Sequence, residues 1–190
     1  MPPERIQHAD LDRPRANFFL LVVLAVALAN SPAAAVERLV APNVVEISPA
    51  LVTSGQPSAE MLRSLSALGF EAVIYLAPST VPDTVAEEPA LLQAQGIEFV
   101  HIPIPFTQPS ESHLVQLNEA LDRLKAKRVL VHCQVNMRAS TLVFLHRVTV
   151  NREAPAVAYE AVARVWSPRG PWNTLIVEQL RKHRIEFDPY

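Results

Sequence analysis

From Ser58 onward the apolar residues fall at helical spacing, Leu62, Leu65 and Leu68, until Gly69 interrupts them. Ser58 is placed to cap this helix and Glu60 lies in its first turn. The run that follows, 72–76, is short, apolar and partly β-branched, the pattern of a strand buried on both faces. The phrase then repeats: a helical stretch over 90–95 stops at Gly96, and 97–104 reads as a strand closing at Pro103 and Pro105. Ser110 is placed to cap a helix lined on one face by Leu114, Leu117, Leu121 and Leu124, after which 128–132 forms another apolar strand. Three helix-to-strand units in succession predict an α/β domain with a mainly parallel central sheet flanked by helices. Residues 44–47 and 51–53 read as short strands at its edge. No strand signal returns after position 138; 139–150, 154–166 and 172–184 read as helices, giving a helical C-terminal part.

The first 35 residues follow a different pattern. Arg13 and Arg15 precede an unbroken apolar run of 12 residues, 18–29, and small residues at Ala33 and Ala35 follow. This is the pattern of a secretory signal peptide, with cleavage expected after Ala35 and a mature chain beginning at Val36. The run is short of the roughly 20 residues a helix needs to cross a bilayer. The charged segment ahead of it is long for a signal peptide, so an uncleaved N-terminal membrane anchor is the competing reading. The expected organisation is therefore a signal peptide, 1–35, and one domain, 36–190, periplasmic or secreted, without stable membrane contact once the leader is gone.

Composition narrows the function by exclusion. Lys+Arg number 17 against Asp+Glu 19, for a net charge of -2 and no polybasic run, so a nucleic-acid partner is not expected. The four glycines, Gly55, Gly69, Gly96 and Gly170, cannot write either a dinucleotide-binding fingerprint or a P-loop. The single cysteine, Cys133, excludes an intrachain disulfide, a C-x-x-C pair and a cysteine-rich zinc site. The histidines show no ligand spacing. Neither a metal nor a cofactor is expected.

The candidate chemistry lies at the end of the 128–132 strand, because ligand sites in such sheets lie beyond the carboxyl ends of the strands. His132-Cys133 stands there, and Gln134, Val135, Asn136, Met137, Arg138, Ala139 and Ser140 lead into an apolar helix. Backbone N–H groups and the dipole at that helix start would stabilise an anion and favour the attacking thiolate of Cys133. Arg138 offers a planar fork for a tetrahedral oxyanion, and Ser140 is placed to hydrogen-bond the thiolate when it leaves. His132 is expected to orient the strand end, bonded to backbone. A lone cysteine at a strand end is ordinarily a small buried hydrophobe; its neighbours turn that reading toward function.

These residues resemble the cysteine-dependent phosphatases of the protein tyrosine and dual-specificity superfamily. The likeness rests on His132-Cys133, Arg138 and Ser140, on the phrase 101–105 (His-Ile-Pro-Ile-Pro) and on the opening phrase 53–58 (Thr-Ser-Gly-Gln-Pro-Ser). It is nearest to small bacterial phosphatase-like proteins with an asparagine in the His-Cys loop, and it spans roughly 44–180. The resemblance implies a phosphatase-like fold and hydrolysis of a phosphorylated protein or small-molecule phosphate ester. Cys133 would form a phosphocysteine, residues 134–137, 139 and 140 would cradle the phosphoryl group, and an acid would protonate the leaving oxygen. Two features depart from the superfamily pattern. Four residues, not five, separate Cys133 from Arg138, and 103–109 hold no carboxylate. Asp83, in the loop after the 72–76 strand, is the substitute acid, with Glu111 a second. The tighter loop also resembles that of rhodanese-type sulfurtransferases, and the missing acid fits a phosphate-binding or interaction module without catalysis. Both stay as alternatives. Trp166 and Trp172 are expected to pack a helix turn onto the domain, Arg169 could reach an anionic substrate, and Lys125, Lys127 and Arg128 read as a solvated helix end.

Overall fold

The computed structural model describes residues 38–188, all within one compact unit, Val36–Tyr190. The expected leader, 1–35, and its cleavage site lie outside the described residues. Eleven elements follow in order: β1 (Val45–Ser48), β2 (Leu51–Ser54), α1 (Ala59–Leu62), β3 (Ala72–Tyr75), α2 (Glu88–Gln93), β4 (Glu98–His101), α3 (Glu111–Arg123), β5 (Val129–His132), α4 (Met137–Thr149), α5 (Pro155–Ala163) and α6 (Pro171–Lys182). The sheet runs β1-β2-β5-β3-β4. Only the β1–β2 pair is antiparallel; β2, β5, β3 and β4 are mutually parallel. This is the mainly parallel α/β architecture that the repeated helix-to-strand phrase predicts.

Strand β5 lies between β2 and β3, so every residue of Val129–His132 is buried. One face of the sheet carries α3, α4, α5 and α6 around Leu117, Leu142, Phe144 and Ile176. The other carries the shorter α1 and α2 around Leu62, Leu65, Phe70 and Leu92. Helix α4 is buried from Arg138 to Thr149, as expected of a helix enclosed by neighbours on all sides. It follows β5 directly, and the turn between them is thereby fixed at both ends.

Three elements differ from the sequence pattern, each for a local reason. The helix expected over 58–69 is regular only through Leu62. The Gln95 side chain bonds Leu62 O (2.7 Å) and receives Ser66 N–H (3.1 Å), taking the two groups that would have closed the next turn. The strand expected over 97–104 ends at His101. Ile102 and Ile104 N–H still reach Tyr75 O and Leu76 O, but the alternating Pro103 and Pro105 have no N–H to extend the ladder. Of the basic group after α3, Lys125 is exposed as a solvated end would be, but Lys127 pairs with Glu98 at 2.8 Å. Arg128 donates to Leu68 O at 2.7 Å with its guanidinium over the Phe70 ring.

Candidate active site

The parallel register puts Ser54, His132 and Tyr75 side by side at the ends of β2, β5 and β3. Cys133 follows at the centre, its N–H on Ser54 O at 3.2 Å and its side chain fully buried among core residues. The turn that carries it is shaped by Asn136, whose φ of 70° is left-handed, a conformation asparagine tolerates better than most residues. Its side chain locks the turn, donating from Nδ2 to Asn43 O (2.6 Å) and Thr53 Oγ1 (3.1 Å). Asn43 Nδ2 returns a bond to Val135 O at 3.0 Å. Gly55 meets the same turn: a Cβ there would stand 2.7 Å from Pro42 Cβ and 2.9 Å from Gln134 O, so only glycine fits.

Ser140 N–H closes the first turn of α4 onto Asn136 O at 2.9 Å. The N–H groups before it in the helix have no intrahelical acceptor. Arg138, in that first turn, is buried. Its Nε donates to Ile104 O at 2.9 Å and its guanidinium carbon lies 5.1 Å from the Phe106 ring centre. Tethered through Nε, the side chain keeps its two terminal nitrogens without a hydrogen bond among the described residues. Ala139 has its side chain in the core, so only its backbone can serve a ligand. Ser140 Oγ donates to Met137 O at 3.3 Å. Gln134, Val135 and Met137 are half-buried.

Of the two substitute acids, Asp83 meets the cysteine loop and Glu111 does not. Asp83 Oδ2 accepts from Gln134 Nε2 at 2.9 Å while the residue stays exposed. Glu111 is paired with Lys182, and that ammonium holds its carboxyl below the usual range, the opposite of what a proton donor needs. Arg169 is exposed. Trp172 packs as expected, buried with Nε1–H on Phe106 O at 2.8 Å, and Trp166 donates to Thr141 Oγ1 at 3.2 Å. Both rings lie against Phe106.

His132 is bonded to a side chain and not to backbone. Its Nε2–H donates to Glu88 Oε1 at 2.7 Å, with both side chains buried. Glu88 Oε2 accepts from Gln56 Nε2 at 2.8 Å. The His132 ring stacks on Tyr75 at 4.8 Å, and the Tyr75 hydroxyl meets Thr84 Oγ1 at 2.9 Å. Burial pushes the Tyr75 phenol up. The sequence reading missed Glu88, Gln56, Tyr75 and Phe106. Gln56 stood in the opening phrase, but in the pair Glu87-Glu88 nothing marks the second carboxylate as the buried one. Among the described residues, no group of three or more His, Cys, Asp and Glu is disposed to hold a metal, and no helix is long and apolar enough to cross a membrane.

Comparison with known proteins fits this geometry. Over 114 residues the chain is 28% identical to a beta-lactamase hydrolase-like protein of Xylella fastidiosa, in both strain Temecula1 and strain 9a5c. That stretch is 58% of this chain and 26% of the relative, so the match spans about a quarter of the curated relatives' length. A crystal structure from Shewanella putrefaciens CN-32, of a protein assigned to the phosphatases, superposes with a TM-score of 0.69 at 26% identity, covering 75% of this chain and 94% of that one. The core catalytic domain of the PP-IP phosphatase SIW14 from S. cerevisiae shares the fold, with a TM-score of 0.59 at 18% identity over 80% and 90% of the two chains. Residues 24–168 match the family model described as DSP-PTPase phosphatase fused to NAD+ kinase, and the chain belongs to that family of the cysteine-dependent tyrosine and dual-specificity phosphatase superfamily.

Proposed function

We propose that the chain is an exported phosphatase that hydrolyses phosphate monoesters through a phosphocysteine on Cys133. The observation that carries this reading is the turn between β5 and α4, where Cys133 at the strand end is followed within one turn by a helix start and the buried Arg138. The Cys133 thiolate attacks phosphorus, a sulfur–phosphorus bond forms and the ester P–O bond breaks. Loop N–H groups of residues 134–139 and the terminal nitrogens of Arg138 hold the phosphoryl oxygens. Asp83, protonated, gives its proton to the departing oxygen; as carboxylate it then takes a proton from the water that attacks phosphorus and releases orthophosphate. Cys133 leaves as thiolate, toward the Ser140 hydroxyl. The substrate is a phosphorylated protein or a small phosphate ester. Export rests on the leader: cleavage after Ala35 releases a periplasmic or secreted domain beginning at Val36, and N-terminal sequencing of exported protein reads that cut directly. Recovery of the leader in the membrane fraction supports the anchor instead.

A second reading has two observations in its favour. Cys133 is 0% exposed and 103–109 hold an aromatic loop without a carboxylate, as a phosphate-binding module without catalysis would. Mass spectrometry of the whole protein after exposure to a phosphate ester, and separately to thiosulfate, sorts the readings. A phosphocysteine on Cys133 supports the phosphatase, a persulfide the sulfurtransferase, and an unmodified cysteine the binding module.

A further inference from the structure

The segment from the end of β3 to the first residue of α2 touches the residues on both sides of the nucleophile. Asp83 accepts from Gln134, the residue after Cys133, at 2.9 Å. Glu88, five positions on, accepts from His132, the residue before it, at 2.7 Å. The two carboxylates differ in surroundings: Asp83 is exposed, whereas Glu88 is 2% exposed at the start of α2. Thr84, between them, is tied to Tyr75, whose ring covers the His132 imidazole. The segment thus reaches His132 twice, once by a charge-assisted bond and once through a stacked ring. Glu88 has a second fixed partner in Gln56, whose own N–H bonds Gln134 O at 3.1 Å.

We propose that Glu88 is a positioning residue for this active site, fixing His132 at the end of β5 and holding the segment that presents Asp83 to the cysteine loop. This rests on the phosphatase reading for what Asp83 does there, but the grip on His132, the residue before Cys133, stands without it. A buried carboxylate with two donors and no solvent is a stiff anchor, because either donor left alone would be stranded in the interior. It also selects the His132 tautomer: with Nε2–H committed to Glu88, the buried Nδ1 is the nitrogen without a partner. An amide at position 88 keeps the volume and accepts from only one of the two donors.

The test compares the full chain as wild type, Glu88→Gln, Asp83→Asn and the double variant. p-Nitrophenyl phosphate is the probe, with kcat and KM, a melting curve and the iodoacetamide rate at Cys133 as readouts. Glu88→Gln is expected to melt cooperatively, to lose about tenfold in kcat with KM changed less than about twofold, and to cost under about threefold once Asp83 is already Asn, because two residues acting through one step are not additive. A lowered melting point with kcat unchanged, or costs that multiply, would overturn the proposal. Should Glu88→Gln fail to fold, Tyr75→Phe cuts the Thr84 link and leaves the carboxylate in place; an unchanged kcat there overturns it as well, and a loss of about threefold upholds it. A wild type with neither turnover nor phosphocysteine removes the phosphatase reading alone. The alkylation rates then decide: a change of about threefold in Glu88→Gln upholds the grip on Cys133, and equal rates overturn it.

Discussion

Strands β3 and β4 lie side by side, and the loops that leave them handle the same site by opposite means. The segment after β3, 76–87, works through two polar side chains: Asp83 on Gln134 and Thr84 on Tyr75. The segment after β4, 102–109, alternates prolines with apolar residues and works through its backbone and one ring. Ile104 O takes Arg138 Nε, Phe106 lies under the guanidinium, and Trp172 pins Phe106 O. Prolines at 103, 105 and 109 fix φ and leave that second loop little freedom. The difference teaches a division of labour. In the proposed mechanism the stiff aromatic loop holds the Arg138 charge in one place, and the exposed Asp83 gains and loses the proton.

The sharpest way to break this contrast is at Asp83. Asp83→Asn keeps the bond to Gln134 within reach and removes the proton, so kcat on an ester with a poor leaving group is expected to fall about 10²–10⁴-fold. Steady-state kinetics on an alkyl phosphate measures it, and full activity would move the acid elsewhere. Next comes Arg138→Lys, which keeps the charge and loses the fork. Vanadate binding is expected to weaken by about 1.5–3 kcal/mol, read by titration calorimetry; unchanged affinity with a lower melting point would make Arg138 a structural residue and leave the binding module ahead. Phe106→Leu removes the ring under Arg138 but keeps the loop's backbone, so vanadate affinity is expected to drop by about 0.5–2 kcal/mol, with the alkaline behaviour of the other loop untouched.

The smallest effect belongs to Tyr75. Its phenol is raised above 10.0 mainly by burial, with Thr84 opposing. A raised phenol binds its proton more tightly folded than unfolded, so its contribution is whole below the unfolded value and is lost as pH rises through the folded one. Melting curves above about pH 10 should therefore fall less steeply in Tyr75→Phe than in wild type. Parallel slopes would remove Tyr75 from the buried network of the first loop.

What could be read in the sequence follows from range. The order of strands and helices was legible because periodicity is local: Leu114, Leu117, Leu121 and Leu124 face one way whatever lies across from them. Cys133, Arg138 and Ser140 were legible as candidates because a strand end and a helix start are contiguous in the chain. The pair His132 and Glu88, 44 positions apart, was not, since spacing carries no record of which of two adjacent glutamates turns inward. The short α1 was illegible for the same reason. Gln95, the side chain that interrupts it, lies 29 positions from Ser66.

Gly55 and Asn43 bear on the order in which the protein can be made. Asn43 and Val135 are joined across 92 positions, and Gly55 packs against Gln134 O so closely that a Cβ there would stand 2.9 Å from it. A contact of that separation forms only after much of the chain between has condensed. The turn around the only cysteine is therefore a product of the finished sheet. If the chain crosses a membrane before folding, as its leader leads us to propose, it does so with its nucleophile unassembled, and the reactive site first exists in the compartment where the domain completes its fold.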